Sequence, residues 1–537
     1  KESTPFEDGD PSAKIGIIAE APSRTEMRVG APLVGPSGMF LNEVLHEAGI
    51  ARQGCYILNV WEEEVWRSKD DKVIFDRDGT KLYIQGKGFT DAGRRAAAAT
   101  LQRLERSRAN VIVPLGGPAL ALTFGDTRIG KWRGSILSGT GPLSKRKIVG
   151  TFHPSFIMRG NYVHRYTMLH DLNRVREESS SARIRLPERN LYIDPIYPEV
   201  VAWLRDASKA DVIATDIECL NAQVSCFSVA TAAKESMCIP LLDRRGGNRW
   251  TDEQEAEIWK LYAALMGSKK IRKVNQNILF DMTFLLSQNN IFTYGTVDCT
   301  MCAHHILYPD FPKGLDFLCS TYTREPYYKD DGKLWSKPWV DMERFWEYNA
   351  KDSACAYEIM DGLLPELYEK GHMTSYRKTI QMFPALMYMM VNGLAISEAN
   401  LADERKRANA LLEEKQIELS QIAEWDFNPA SPKQCQEYFY GTKGIHPYTS
   451  LSTHKVTTDD KAMARIVKRY NLPEARLVQE IRGLRKLISN YLDVRYDNDK
   501  RVRCSYNPRG TVTGRLSSSE TIFGTGMNFC NLDPRFK

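Results

Sequence analysis

The sequence predicts an α/β multidomain protein that turns mainly helical toward its C-terminus. Three observations carry this. Short apolar strands alternate with helical stretches in two successive regions, the pattern of sheets covered by helices. From about residue 370 the alternation gives way to long charged helical patterns. At 537 residues the chain is too long for one core, and about 150 residues per domain implies three or four units.

In the first 180 residues the strand candidates are KIGIIAE (14–20), CYILNV (55–60), NVIVPLGG (110–117) and RKIVGTF (146–152). Helical stretches lie between them, GMFLNEVLHEAGI (38–50) and DAGRRAAAATLQRLERS (91–107), so a mostly parallel sheet with helices on both faces is expected. REESSSARIR (176–185) is polar and repetitive and reads as a linker. A second α/β region follows, with strands DVIATDIE, VSCFSVAT and ESMCIPLL. Beyond residue 370, the stretches 397–425 and 473–496 each read as one long helix. These shifts place units at 1–180, 181–370 and 371–537.

Hydrophobic content of 42% with 26% charged residues is that of a soluble globular protein. No apolar run reaches the roughly 18 residues of a membrane span; FPALMYMMVNGLAI is interrupted by Asn392 and Gly393, so no membrane partner is expected. The chain opens on Lys1 without an initiator Met or a signal-peptide pattern, which points to a trimmed start. Eleven Cys without framework spacing argue for free thiols in a reducing compartment. Cys299 and Cys302 form a single C-x2-C pair, too little for a zinc site. A net charge of +6 permits nucleic-acid binding without establishing it.

The strongest chemical signal is ATDIECL. Asp216 and Glu218 are one residue apart on an apolar strand, so both carboxylates share a face, and adjacent anions call for a cation between them. VNQNILFDMTFL adds Asp281 in an apolar helical run, with Asn277 one turn earlier. WEYNAKDSACAYEI adds Tyr348 and Asp352, which at i and i+4 share a helix face. Four acids and a Tyr from three segments suit a two-metal phosphodiester hydrolase. Asp216, Glu218, Asp281 and Asp352 would be the metal ligands, and Tyr348 would position the attacking water. Order and spacing over about residues 185–365 resemble the DEDD exonucleases with a Tyr in the third motif. The resemblance implies an RNase H-like α/β domain, two divalent ions (Mg²⁺ or Mn²⁺) and removal of nucleotides from a single-stranded DNA 3′ end.

Toward the C-terminus, FNPASPKQCQEYFYGTKGI, RGLRKLISNYLD and TGRLSSS are similar, in order, to the thumb and early palm of family A DNA polymerases. That resemblance assigns Arg485, Lys486, Thr513, Arg515, Ser517, Ser518 and Ser519, together with Asn277 upstream, to DNA contact. Hydroxyls and one Arg suit the phosphate backbone. Phe523, Met527, Phe529 and Leu532 come at intervals that call for burial, which makes the ending a folded segment rather than a tail. Cys530 stands where the family usually has Gln. The family's palm carboxylates and its fingers would lie beyond the last residue, so the resemblance implies a parent chain that continues and no polymerisation by this stretch alone.

At the N-terminus, AEAPSRTEMRVGAPLVGPSG is similar to the first motif of iron–sulfur-type uracil-DNA glycosylases, with Glu20, Ala21, Pro22 and Glu26 at matching spacing. Asn59 falls where that family reads the flipped uracil, and His153 where it supports the departing base. The resemblance covers about residues 14–175 and implies an α/β/α sandwich. Leu33 stands where an aromatic would stack on the base. The cluster cysteines are absent, NVWEEEVWR occupies their place with Glu62, Glu63 and Glu64, and Cys55 is the sole Cys before residue 219, so no iron–sulfur cluster is expected. GDTRIGKW has P-loop spacing at Gly125, Gly130 and Lys131, but Trp132 sits where Ser or Thr would hold Mg²⁺, so no ATPase is assigned.

The combined order resembles bacteriophage family A DNA polymerases that carry an N-terminal uracil-glycosylase-like domain. This implies DNA replication in the cytoplasm of an infected bacterial host. Primer–template DNA and, in the full-length enzyme, dNTP would be partners, with room for a replisome partner. Two alternatives stay open: a repair nuclease joining uracil excision to 3′ end trimming, and an N-terminal domain that only binds DNA or a replisome partner.

Overall fold

Runs of Val, Ile and Leu bounded by turns become the buried strands of the first sheet. The structure is a computed structural model and describes residues 4–220, 222–332, 341–450 and 455–532; the last residues of GTGMNFCNLDP lie outside these. The strands are β1 (Glu7–Asp8), β2 (Ile15–Ala19), β3 (Cys55–Asn59), β4 (Val111–Pro114), β5 (Leu137–Ser138) and β6 (Lys147–Ile148), in the order β1-β3-β2-β4-β6-β5. The inner pairs are parallel and the two edge pairs antiparallel, as the alternation of strands and helices predicts. Alternate residues of β2 supply opposite faces: Ile15 and Ile17 join Leu41, Val44 and Leu172, while Ile18 joins Tyr56, Leu104 and Ile112. Helices α1 (Pro36–Glu47) and α4 (His164–Glu178) cover the first face, and α3 (Ala98–Arg106) covers the second.

Two sequence expectations change here. The stretch 91–107 is two helices, α2 (Asp91–Ala96) and α3, parted at the buried Ala97. The break follows from docking on different partners: Gly93 lies so near an inserted strand that a Cβ there would be 1.9 Å from the Leu82 carbonyl oxygen, whereas α3 packs on the main sheet. That insertion is a four-stranded antiparallel sheet spanning Trp66 to Phe89. The expected linker also begins later, because Arg176, Glu177 and Glu178 form the last turn of α4.

The second sheet contains β7 (Asn190–Tyr192), β8 (Val212–Leu220), β9 (Gln223–Ala232), β10 (Glu235–Pro240), β11 (Arg272–Asn275) and β12 (Val297–Cys299), in the order β7-β10-β9-β8-β11-β12. Its central β8-β9-β10 meander is antiparallel and its flanking pairs are parallel. One face buries Ile213, Ile217 and Phe227 against Ile258 and Tyr262 of α5 (Asp252–Gly267). The other carries α8 (Met342–Glu369), which lies close because Ala350 and Ser353 are small and face the sheet. Ser228 Oγ donates to the Asn349 carbonyl at 2.9 Å, and the hydroxyls of Ser236 and Ser353 meet at 2.8 Å. These bonds set the height of α8 over β8.

Both sheets belong to one compact unit, Lys1–Ile380. Buried polar groups join them. Arg133 Nε donates to Asp171 of α4 at 2.9 Å and its Nη1 to Ser320 Oγ of α7 (Leu315–Tyr322) at 2.8 Å. Arg174 donates to the carbonyls of Ser320 and Thr323 at 2.9 and 2.8 Å. Gly134 has φ of +70°, and a Cβ there would be 2.7 Å from Asp171 Oδ1, so this close approach needs glycine.

The second unit, Gln381–Lys537, is mainly helical. The charged stretch after Ser397 is one helix, α9 (Glu398–Ala423), as its pattern predicts. Helices α10 (Asp460–Tyr470) and α11 (Pro473–Leu487) bury Met463, Ile466, Val478 and Ile481 with Leu419 and Phe439. The Ser-rich ending folds into a hairpin, β13 (Ser505–Asn507) with β14 (Ser517–Ser519). Met527 is buried beside Tyr491 and Val502, with Phe529 and Leu532 against them; Phe523, expected to be buried, is 45% exposed.

Candidate active site

Strand alternation sends Thr215 and Ile217 into the α5 face, where Thr215 Oγ1 and Tyr262 OH lie 2.8 Å apart. Asp216 and Glu218 therefore face α8. The register shifts immediately after Glu218, a bulge of the kind that re-aims side chains beside functional clefts. From α8, Asp352 completes a group in which one oxygen each of Asp216, Glu218 and Asp352 lies within 4.8 Å of the others. Tyr348 stands one turn earlier on the same helix, half-buried.

Asp281, on α6 (Ile278–Asn289), lies beside this group rather than within it. Parallel pairing of β8 with β11 stops at Ala214, so Ile217 needs another acceptor for its N–H, and Asp281 Oδ1 supplies it at 3.1 Å. Asn277 opens α6 in the left-handed region, with φ of +66°.

Three residues that the sequence reading missed hold the carboxylates. Asn349 Nδ2 donates to Asp216 Oδ2 at 2.9 Å, and Tyr328 OH donates to Asp352 Oδ1 at 2.7 Å. Lys329 Nζ bonds both Asp352 Oδ2 and Tyr348 OH. Asn349, three residues before Asp352 on a helix, was readable by periodicity; Tyr328 and Lys329 come from a loop without periodicity.

Burial, then repulsion from Asp352, Asp281 and Glu218, holds Asp216 well above the usual carboxylate range. Glu218 is pushed up to about 8 by burial and by Asp352, with Lys329 opposing. Burial alone would lower Lys329, yet Asp352 keeps its ammonium raised and charged. An all-oxygen donor set that protonates for want of a counter-charge fits hard divalent cations.

A pH dependence follows. Glu218 ionises near 4.5 in an unfolded chain and near 8 here, so between those values the folded protein holds a proton that the unfolded chain releases. Cation-free protein is expected to lose stability as pH rises through that window, and added Mg²⁺ should raise the unfolding temperature more at about pH 8 than at about pH 6. Thermal melts with and without Mg²⁺ check this, and an equal or smaller increment at the higher pH contradicts it.

A second cleft, of about 350 Å³, opens in the N-terminal half. Glu20 follows β2 and His153 follows β6, both at the carboxyl ends of parallel strands where α/β folds bind ligands. The other walls include Arg67, Tyr83, Phe152 and Arg159. The remaining residues of the sequence-predicted pocket do not line it. Leu33 is buried in the core with Leu41 and Val44, at φ of +52°. Asn59 is 1% exposed, and its Nδ2 donates to the Pro5 carbonyl at 3.2 Å. Glu26 accepts from the N–H groups of Ser23 and Gly35 at 2.6 and 3.4 Å, and so shapes the loop that contains Ala21 and Pro22.

Arg67, from the inserted sheet, pairs with the Glu20 carboxylate. Burial raises Glu20 and Arg67 opposes that shift. Burial pushes His153 down to about 4, a neutral imidazole whose Nδ1 lies 2.8 Å from Ser155 Oγ. In the P-loop-like stretch, Ile129–Trp132 is a single helical turn whose Trp132 ring meets Phe124 and Tyr327 at 4.8 and 5.3 Å.

In the second unit Arg485 Nη1 donates to Asn428 Oδ1 at 2.7 Å, and Lys486 is exposed. Thr513 and Arg515 are exposed in the turn joining β13 to β14, with the Arg515 N–H bonded to Thr511 Oγ1 at 2.8 Å. Ser519 is exposed and Ser517 half-buried. Ser518 faces inward, donating to Asn528 Oδ1 at 2.9 Å and accepting from the Cys530 N–H at 3.0 Å. Among the described residues no helix is long and apolar enough to cross a membrane.

Residues 6–176 match the uracil DNA glycosylase superfamily, residues 197–368 match 3′-5′ exonuclease, and residues 398–522 match DNA polymerase family A. The chain is thus a mixed α/β multidomain protein with glycosylase-like, exonuclease-like and polymerase-like segments. It is 26% identical over 355 residues to a DNA polymerase I of Rhizobium leguminosarum, covering 59% of this chain and 34% of that protein. It is 29% identical over 156 residues to a type-4 uracil-DNA glycosylase of Thermotoga maritima, covering 28% of this chain and 70% of that one. A DNA polymerase of Escherichia phage T5 is 29% identical over 197 residues, 34% of this chain and 23% of that protein. Among solved structures, the POL domain of Pol1 from M. smegmatis, in complex with DNA primer-template and dNTP, has a similar fold. It covers 65% of this chain and 56% of that one, with a TM-score of 0.51 at 18% identity. The chain spans about a third of the length of the DNA polymerase I relatives it matches.

Proposed function

We propose that residues 181–370 remove nucleotides from the 3′ end of single-stranded DNA by hydrolysis, as the proofreading domain of a replicative, phage-type family A DNA polymerase. The observation that carries this is the convergence of Asp216, Glu218 and Asp352 from β8 and α8 within 4.8 Å, with Tyr348 beside them. Two divalent cations, Mg²⁺ or Mn²⁺, would be held by these carboxylates with Asp281 at the margin, and when bound would activate water and neutralise charge on the leaving oxygen.

The chain's own groups prepare that chemistry. Asn349 turns Asp216 toward the cleft, Tyr328 fixes one oxygen of Asp352, and Asp281 fixes the β8 backbone between the two strand carboxylates. The Tyr348 hydroxyl is held protonated by burial and by the surrounding carboxylates, so it can donate to or accept from the attacking water. In the balanced reaction the bond from phosphorus to the 3′ oxygen breaks, water adds to phosphorus, and the released 3′ hydroxyl takes a proton. Digestion of a 5′-labelled single-stranded oligonucleotide tests the reading: it should need divalent cation and stop with EDTA, and cation-independent digestion would sink it.

The same reading assigns residues 371–537 to a thumb and the start of a palm that grip primer–template DNA through Lys486, Arg515 and Ser519. It assigns residues 1–180 to a glycosylase-like domain without base excision. Reading a uracil edge requires an accessible amide, yet Asn59 is buried with its Nδ2 donating to Pro5, while Arg67 caps Glu20. Uracil-containing single-stranded DNA incubated with the full chain and then treated with hot alkali is expected to show no cleavage at uracil. Cleavage that disappears on N59A substitution would instead favour the repair nuclease.

A further inference from the structure

Tyr328 and Lys329, which hold Asp352, come from a segment that the N-terminal half grips. Residues 327–330 run between the 128–135 stretch and α8. On one flank the Tyr327 N–H donates to Ser135 Oγ at 3.3 Å, and its ring meets that of Trp132. Lys131 Nζ is 2.8 Å from both oxygens of Asp330, and Arg128 Nη1 is 3.3 Å from one of them. On the other flank Tyr328 OH bonds Asp352, and Lys329 bonds Asp352 and Tyr348 while lying 4.2 Å over the Tyr348 ring. The segment ends tightly, since a Cβ on Gly332 would be 2.7 Å from Tyr348 Cζ.

We propose that residues 327–330 are a strap through which the glycosylase-like domain positions the exonuclease site, with Lys131 and Asp330 as its anchor and Lys329 as the residue that orients Tyr348 and Asp352. This rests on the hydrolytic reading of the carboxylate cluster. Four residues outside any helix or sheet have no position of their own. Ordering them carries an entropy cost that the flanking contacts must offset, so those contacts decide where they sit. The strap's outer side chains bind one domain and its inner ones the other, which makes the N-terminal domain part of the exonuclease scaffold whether or not it acts on bases. Lys329 also carries a positive charge beside the anions that attract cations. Removing it should tighten cation binding while turnover falls, a split that simple loss of structure does not produce.

The test uses the full chain with K131M, D330N, K329M and the double variant K131M/K329M. R165M, which breaks a pair with Glu47 and a contact with the Tyr166 ring, both away from the carboxylate cluster, serves as the control. Single-stranded digestion is followed across Mg²⁺ concentration, Mn²⁺ affinity is measured directly, and melts verify folding. K131M and D330N should each lower the maximal rate about fivefold, less than the roughly hundredfold that a full 1 Å misplacement costs. K329M should lower it more than tenfold with a smaller half-saturating Mg²⁺ concentration, and K131M/K329M should match K329M alone. Wild-type rates in folded K131M and D330N, or losses in K131M and K329M that multiply, overturn the strap. If the wild-type chain digests nothing, the hydrolytic reading falls and the strap is judged on Mn²⁺ affinity. Parallel tightening in K131M and K329M then supports it, and unchanged affinity in both overturns it.

Discussion

Digestion of single-stranded DNA by the D216A/E218A protein is expected to fall by more than about a thousandfold, since removing a single stabiliser of a developing charge already costs two to three orders of magnitude. Both side chains face the cleft and neither takes part in the apolar core on the opposite side of β8, so the fold should survive. Burial and mutual repulsion disfavour both carboxyls in the cation-free fold, so the cation-free variant should melt no lower than the wild type. Activity lost together with a collapse of the melting temperature would mean that the pair supports structure, and unchanged digestion would remove the site assignment. D352N separates the roles further: it keeps the shape, weakens cation binding, and removes the anion paired with Lys329 while leaving its contact with Tyr348.

The second large effect concerns stability. Arg133 and Asp171 are almost fully buried, at 3% and 0% side-chain exposure, and Asp171 also accepts from Thr151 Oγ1 at 2.7 Å. R133A leaves the Asp171 carboxylate buried without its guanidinium, which is expected to destabilise the unit by about 3–5 kcal/mol. Denaturant unfolding reads this. Because Arg133 also bonds Ser320 across the two sheets, the loss should appear in the transition of the whole 1–380 unit rather than in a separate early step. The double variant R133M/D171N, which removes both charges, should recover part of the loss; if it is as unstable as R133A, packing rather than the unpaired charge sets the effect.

Periodicity and spacing carried most of the architecture. Alternating apolar segments led to both sheets and the charged 397–425 stretch led to α9, because burial patterns repeat with the geometry of strands and helices. Asp216 and Glu218 were legible as a same-face pair, and Tyr348 with Asp352 as a same-face pair on a helix. The inserted sheet between Trp66 and Phe89 left a signal that went unused: the Asp-Gly and Gly-Lys-Gly turns in DRDGT and QGKGF mark hairpins.

What the sequence determined by itself is local: which residues form strands and helices, and which carboxylates share a face. The tertiary structure decided whatever depends on distant segments meeting. It turned Asn59 toward Pro5 and set Arg67 on Glu20, brought Lys329 between Tyr348 and Asp352, and left Asp281 serving the Ile217 backbone. These outcomes turn on hydrogen-bond accounting and charge balance among residues 19 to 64 positions apart, and no pattern with a period of two or 3.6 residues encodes such a meeting.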